Sequence, residues 1–332
     1  MRTLAASVSA MDLDVLFLGT AGSAPSARRG LPATLVRRGG DRMLFDCGEG
    51  TQRQLLRSVG LIDLEEVFVT HFHADHLLGL PGMLKTFGLR QRERPLTIYG
   101  PRGLRALFRS LAFVVGRLPF ELSLVELAPN DELERDGYRI AAFATDHRVQ
   151  TLGFAVVEAP RPGMFDPDRA RELGIAPGPD FGRLQRGESV NGVEPDQVMG
   201  EARRGRKVVL AGDTVPCDMT RLVGYEADLL VHEASFLEED AERAAETGHS
   251  TARGAAELAA AADVGMLALT HVTPRYGGRE LREEARAVFP NTVVPRDFDR
   301  IELPFPERGG PVHVKASERP PQREAPESEV AP

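Results

Sequence analysis

The chain has 332 residues, 42% of them hydrophobic, 27% charged and only 6% aromatic, with no tryptophan. This suits one large domain or two small ones and excludes a wholly disordered chain, and no apolar run approaches the roughly 18 residues of a membrane-spanning helix. Asp and Glu number 49 against 41 Lys and Arg, a net charge of -8, which excludes a globally basic nucleic-acid binder but not a local basic patch.

Residues 1–10 hold no apolar core of signal-peptide length and read as a short N-terminal tail before a fold that begins at Met11. Residues 14–20 (DVLFLGT) read as a buried strand ending at a glycine, with further short strands over 33–37 and 42–46. A helix is expected over 51–59, a strand over 67–70, a helix over 77–90 interrupted by Pro81 and Gly82, and a strand over 96–99. A helix over 104–115 and strands over 121–127, 138–144 and 152–158 follow. Two cysteines, Cys47 and Cys217, are too few for a disulfide framework and point to a reducing cytoplasm.

From 159 to 191 the chain changes character. Pro160, Pro162, Pro167, Pro177 and Pro179 alternate with glycines around one short helical piece at 168–173, so the stretch reads as an insertion. Alternation then resumes, with strands over 207–211, 229–232, 266–270 and 300–303 and helices over 251–262 and 279–288. The Pro-, Glu- and Arg-rich sequence after Pro306 is expected to remain disordered. The expected catalytic domain is 11–306, with an insertion at 159–191 and a disordered tail at 307–332.

The strand expected at 67–70 runs into His71-Phe72-His73-Ala74-Asp75-His76. Histidine is 8 of 332 residues, so three at this spacing are expected by chance only about 0.005 times. Imidazoles and a carboxylate this close are metal-ligand chemistry. Alternate residues at an extended strand end share a face, so His71 and His73 can grip one ion while the turn carries Asp75 and His76 toward a second. His147, Asp213 and His271 also follow expected strands, and ligands at strand ends converge. Singly each is an ordinary polar residue. Together with the cluster they make two sets of four, which Asp213 can bridge because a carboxylate has two oxygens and an imidazole one free lone pair.

This HxHxDH loop followed by later His, Asp and His resembles the metallo-β-lactamase superfamily. Phe45-Asp46-Cys47-Gly48-Glu49-Gly50-Thr51-Gln52, His232-Glu233-Ala234-Ser235 and Gly248-His249-Ser250-Thr251 narrow the resemblance to the ribonuclease Z family of tRNA 3′-processing endonucleases, over roughly residues 13–305. Leu173-Gly174-Ile175-Ala176-Pro177-Gly178-Pro179 and Gly187-Glu188-Ser189-Val190 are similar to the flexible arm with which that family clamps the tRNA elbow. Two places depart from the family pattern. Pro25-Ser26-Ala27-Arg28-Arg29-Gly30 keeps the Pro and Arg of a P-x-K-x-R-N loop without its Lys and Asn, and Ser235 stands in place of Thr.

The resemblance implies an α/β fold, a metallo-β-lactamase-like αββα four-layer sandwich with a protruding arm at 159–191. It implies two zinc ions per subunit and cleavage of precursor tRNA after the discriminator nucleotide, leaving a 3′-hydroxyl tRNA and a 5′-phosphate trailer. His71, His73 and His147 are expected on one zinc, Asp75, His76 and His271 on the other, and Asp213 on both, with Asp75 also orienting the attacking hydroxide. His249 paired with Glu233 is the expected general acid, since a carboxylate raises an imidazole pKa. The competing explanation for His249 is a place beside the helix cap formed by Ser250 and Thr251. His232 reads either as a support for a zinc ligand or as an ordinary strand-end histidine.

Arg28, Arg29 and Arg53 near the entrance, and Arg183 and Arg186 on the arm beside Gly178 and Pro179, are the expected tRNA contacts. Arg203, Arg204, Arg206 and Lys207 read equally well as a solvated charge run. A homodimer, in which one subunit's arm holds tRNA for its partner's site, is also implied, with no membrane association. Because the metal site specifies hydrolysis alone, an enzyme of this fold acting on small phosphodiesters or another RNA is the alternative. An inactive RNA-binding relative is disfavoured, since it predicts missing ligands and all seven are present.

Overall fold

The computed structural model describes residues 12–61 and 64–318, so the expected tail at 1–10 and residues 319–332 lie outside the described residues. Strand β1 (Leu13–Gly19) has apolar side chains on both faces: Leu13, Val15 and Phe17 enter one core, Leu16 and Leu18 another. A strand covered on both sides is a continuous apolar run in sequence. After it come β2 (Ala33–Arg38), β3 (Asp41–Phe45), β4 (Glu66–Phe68), β5 (Leu96–Pro101) and β6 (Leu122–Leu127). The second sheet holds β7 (Glu132–Arg135), β8 (Tyr138–Ala144), β9 (Leu152–Glu158), β10 (Lys207–Leu210), β11 (Leu229–Glu233), β12 (Met266–Thr270) and β13 (Thr292–Val293). Finally β14 (Arg300–Glu302) and β15 (Val312–Val314) return to the first sheet, whose order is β15-β14-β1-β2-β3-β4-β5-β6.

The second sheet runs β13-β12-β11-β10-β9-β8-β7. Neighbours pair in parallel from β3 to β6 and from β10 to β13, and antiparallel elsewhere. Between the sheets lies a core that includes Phe45, Phe68 and Phe154, whose ring centroids are 4.9–5.6 Å apart. Outside the first sheet pack helices Thr51–Ser58, Gly79–Leu89 and Leu104–Val115. Helices Ala252–Ala261 and Gly278–Arg286 cover the second. These are the four αββα layers that the resemblance implies.

Three local expectations need correction. Pro81 and Gly82 do not interrupt their helix, because Pro81 sits in the first turn of Gly79–Leu89, where a missing N–H costs no intrahelical bond. The excursion between β9 and β10 does not close at 191. Its limbs are bridged at Phe165 with Met199 and at Arg161 with Arg203, and it contains helices Pro167–Glu172 and Pro179–Gln185 around buried Ala170, Ile175, Leu184, Val190, Val193 and Val198. Pro167 and Pro179 start these helices; the Asp166 carboxylate caps the first by accepting from the Asp168 and Arg169 amides at 3.0 and 2.9 Å.

Nor does order end at Pro306. Strand β15 pairs with β14, and His313 Nε2 and the Ala316 amide both bond the Asp299 carboxylate at 2.9 Å. Glu307 takes two bonds of 2.8 Å from Arg161 and one of 2.9 Å from Arg203, anchoring the base of the arm. The basic run at 203–207 is thereby largely spent inside the fold. Arg204 pairs with Asp228, and fully buried Arg206 makes a two-pronged ion pair with Glu158 at 2.7 Å and bonds the Leu303 carbonyl at 2.8 Å.

Candidate metal centre

The loops after β4, β8, β10 and β12 bring the expected donors to one place. His73 Nδ1 is 2.9 Å from His71 Nε2 and 3.4 Å from His147 Nε2, and Asp213 Oδ2 is 3.8 Å from His71 Nε2. In the second set His76 Nε2 is 3.6 Å from Asp75 Oδ2 and 3.4 Å from Asp213 Oδ1. His271 Nε2 is 3.4 Å from Asp75 Oδ2 and 3.2 Å from Asp213 Oδ2. Asp213 is therefore the carboxylate that faces both sets.

The donors fit metal ions on two counts. His76 Nε2 and His271 Nε2 are buried with no hydrogen-bond partner, a cost that a folded protein accepts where another ligand satisfies the atom. Clustered imidazoles and carboxylates are a borderline metal's donor set, and here one atom each of His71, His73, His147 and Asp213 lies within 4.8 Å of the others, as do those of Asp75, His76 and His271 and those of Asp213, His249 and His271.

The opposite ring nitrogens are tied down, which fixes the tautomer that aims each lone pair inward. His76 Nδ1 meets Asp46 Oδ2 at 2.8 Å, and His71 Nδ1 meets Thr70 Oγ1, itself bonded to Asp46, at 3.0 Å. His147 Nδ1 donates to the Gly248 carbonyl at 2.6 Å. For His271 the partner is Ser235 Oγ at 2.8 Å, whose own proton goes to Glu233 Oε2 at 2.7 Å. Serine in place of threonine thus keeps the atom that matters.

Asp46 and Thr70 are functional residues that sequence reasoning missed, although Asp46 lies inside a quoted motif. Both Asp46 and His271 adopt left-handed backbone, φ 58 and 57, which non-glycine residues rarely hold outside sites that require it. Gly22 is required by the same crowding: a Cβ there would stand 2.3 Å from the His271 ring.

Burial and neighbouring His76 push the His71 imidazole down to about 2, so it stays neutral and able to ligate. Burial also disfavours charge on His76, but Asp213 and Asp46 outweigh it and raise that pKa. Asp213 and Asp75 are held below the usual carboxylate range, against burial, by His271 and His76. For His249 burial again opposes charge, and the Glu233 carboxylate, 2.6 Å from Nδ1, reverses it into a raised pKa. Glu233 is in turn fixed by the Thr214 and Ser235 amides at 3.1 and 3.2 Å.

Other expected residues stand apart from the donors. His232 is fully buried, with Nδ1 on the Glu233 carbonyl at 2.8 Å, and joins none of the donor groups. Arg29 lines a neighbouring cleft, but its Nη1 bonds Thr20 Oγ1 and the Pro295 carbonyl, both at 2.7 Å, bracing two loops. Arg183 and Arg186 are exposed on the arm, where both pair with Glu188, in and after the helix that Gly178 and Pro179 begin.

Fold and donor cluster define a metallohydrolase-like α/β sandwich, and residues 29–271 match the model of the metallo-beta-lactamase superfamily. The chain is 48% identical to ribonuclease Z of Gemmatimonas aurantiaca over 90% of its own length and 98% of the relative's. It is 46% identical to ribonuclease Z of Archaeoglobus fulgidus over 88% and 98%. Among solved structures, human tRNase Z, short form, superimposes with a TM-score of 0.64 at 29% identity, covering 88% of this chain and 99% of that one. Within the superfamily, the chain belongs to the ribonuclease Z family.

Proposed function

We propose that the chain is a zinc-dependent endoribonuclease that cuts precursor tRNA 3′ to the discriminator nucleotide, leaving a 3′-hydroxyl tRNA and a 5′-phosphate trailer. The observation that carries this reading is the convergence of all seven donors, two with orphaned Nε2 atoms, in a chain related to ribonuclease Z over nine-tenths of its length. His71, His73, His147 and Asp213 would hold one zinc, and Asp75, His76, His271 and Asp213 a second. Two bound zinc ions would supply a hydroxide nucleophile at neutral pH and neutralise charge on the phosphoryl oxygens.

The chain's own groups do the rest. Asp46, Thr70, Ser235 and the Gly248 carbonyl hold the imidazoles in the orientation the reaction needs. Asp75, whose Oδ2 accepts from the Ser23 amide at 2.9 Å, is fixed where it can orient the attacking oxygen. His249 holds a proton on Nε2, made available by Glu233, and gives it to the O3′ of the discriminator nucleotide as the P–O3′ bond breaks.

The arm is the tRNA-holding element in this reading, with Arg183 and Arg186 as phosphate contacts near Gly178 and Pro179. We infer a homodimer as well: Leu89, Phe113 and Val114 expose apolar side chains at the ends of two packed helices, a face suited to a second copy. Light scattering of the purified protein tests that assembly. The two free cysteines fit a reducing compartment, the cytoplasm, and no helix among the described residues is long and apolar enough to cross a membrane.

The experiment is to incubate zinc-loaded protein with precursor tRNAs, with and without an encoded CCA, and map both product ends. A 3′-hydroxyl on the discriminator and a 5′-phosphate on the trailer are expected. Cleavage elsewhere, or none with full zinc occupancy, overturns the reading.

A further inference from the structure

The excursion between β9 and β10 leaves the second sheet at the end away from the metal centre. Strand β9 begins at Leu152, whose amide bonds the Thr70 carbonyl beside His71 at 2.9 Å. It ends seven residues later at Glu158, about 20 Å along the strand. Strand β10 returns antiparallel to it, from Lys207 opposite Val157 to Leu210 opposite Phe154, and leads into Asp213. The metal donors therefore do not dictate how the arm is set. Nor does the arm's own apolar core, which among the described residues is drawn from 165–198 alone. The arm is a small packed unit carried on two limbs, and a two-stranded ribbon by itself twists and bends readily.

The chain after β14 fastens that ribbon from outside. Arg161 on one limb and Arg203 on the other exchange backbone bonds of 2.7 and 2.9 Å, and Glu307 grips both side chains, with two bonds of 2.8 Å from the Arg161 fork and one of 2.9 Å from Arg203. Two residues earlier, the Phe305 ring stacks against the guanidinium carbons of Arg161 at 3.6 Å and Arg206 at 4.1 Å. The segment that bears Glu307 is held in the first sheet on both sides, by β14 before it and β15 after it. A carboxylate fixed to one sheet thus clasps both limbs of an excursion from the other. With Arg161 15% exposed, Glu307 35% and the contact two-pronged, this pair differs from the solvated surface pairs that contribute little. The Arg161 bonds pull the Glu307 carboxyl down to about 2, so it is charged at neutral pH.

We propose that Glu307, with Phe305 beneath Arg161, is a positioning residue for tRNA: it latches both limbs so that the arm meets tRNA already at its working angle. The proposal rests on the reading of the arm as the tRNA-holding element. Glu307 acts through Arg161 and Arg203 and not at the reacting atoms. An arm that swings freely spends only a fraction of its time in the binding-competent setting, and apparent affinity falls by that fraction while the chemistry on bound substrate is unaltered. A higher KM at constant kcat is the kinetic signature of such a loss.

The test uses the zinc-loaded full chain with precursor tRNA as substrate and, as competitive inhibitor, a hairpin of the acceptor stem alone, which lacks the elbow. In the unaltered protein KM lies well below the inhibition constant of the hairpin. Glu307→Gln raises KM by about fivefold or more and leaves kcat, zinc content and the hairpin inhibition constant unchanged. Glu307→Asp, which keeps the charge, recovers most of the affinity. Arg203→Gln, which spares the Arg161 fork, gives a smaller rise, and the Glu307→Gln/Arg203→Gln double variant is no worse than Glu307→Gln alone, because both act through one contact. An unchanged KM in Glu307→Gln overturns the proposal, and so does a hairpin inhibition constant that rises in step with KM, since the residue would then act at the metal centre and not through the arm. If KM for precursor tRNA equals the hairpin inhibition constant in the unaltered protein, the arm reading itself has failed and the proposal falls with it, a result distinct from both.

Discussion

Glu233 holds His249 at 2.6 Å through Nδ1 while its other carboxylate oxygen takes the Ser235 hydroxyl at 2.7 Å, and that hydroxyl in turn bonds the His271 ring. One buried side chain therefore sets both the proposed proton donor and a proposed metal ligand. His249→Ala should leave zinc content intact and lower turnover on precursor tRNA by about 100-fold or more, the scale for loss of a general acid. Glu233→Gln should cost both turnover and part of the zinc, because it loosens His271 too. Elemental analysis alongside single-turnover cleavage reads the two effects apart; loss of zinc in His249→Ala would make His249 a ligand and undo the division of roles.

Asp213 is buried and within 3.8 Å of one donor of the first set and two of the second. Changing Asp213 to Ala removes the only carboxylate among the described residues that is grouped with donors of both sets, and no water replaces its charge between two cations. Zinc content should fall clearly below two per chain and cleavage should disappear. Full activity with two zinc ions retained would sink the two-metal assignment.

The donors were legible because histidine is rare and their spacing is unusual, whereas Asp46 and Thr70 are common residue types whose role depends on pairing between strands. Phe45 is in register with Phe68 across β3 and β4, and that register alone places Asp46 beside Thr70 and His76. Helix Leu104–Val115 and strands β8, β9 and β12 are long enough to display an apolar pattern and match the sequence reading end for end. Helices Asp218–Gly224 and Ala241–Thr247 and strand β13 are too short to show a period, and went unread. The arm misled for a different reason: proline suggests a loop, yet at the first turn of a helix it is favourable. Glu307 lay in a segment whose composition gave no sign of tertiary partners, and only the fold brings Arg161 and Arg203 to it.

The Arg206 and Glu158 pair joins β9, β10 and the chain after β14. Burial alone would raise the Glu158 pKa, but the Arg206 bonds outweigh it and lower the folded value. A group lowered in the folded state stabilises fully above its unfolded pKa and loses that contribution as pH falls through the folded value. Glu158→Gln leaves a buried guanidinium without its counter-charge, so stability at neutral pH should drop by about 3 kcal/mol or more. Urea unfolding should show the gap between variant and unaltered protein closing as pH falls below the ordinary glutamate range. A gap that stays constant down to pH well below that range would remove the ion pair from the account.

On the arm, Glu188 currently neutralises Arg183 at 3.0 Å and Arg186 at 3.3 Å, with Asp180 a further 3.3 Å partner of Arg183. All these side chains are exposed, so the pairs are weak and an RNA phosphate competes with them readily. If the two arginines contact tRNA, Arg183→Ala/Arg186→Ala should weaken tRNA binding and flatten its salt dependence by up to about one unit of logarithmic slope per lost contact. Glu188→Gln should move affinity the other way, because it frees both guanidinium groups from a competitor that must otherwise be displaced. Filter binding of trailer-less tRNA across a salt series measures both changes on one substrate. The opposed signs are what separate a phosphate-binding role from a solubilising one: a loop that merely needs charge responds to neither substitution in affinity, and an unchanged slope in the double variant would transfer tRNA recognition to the backbone around Gly178 and Pro179.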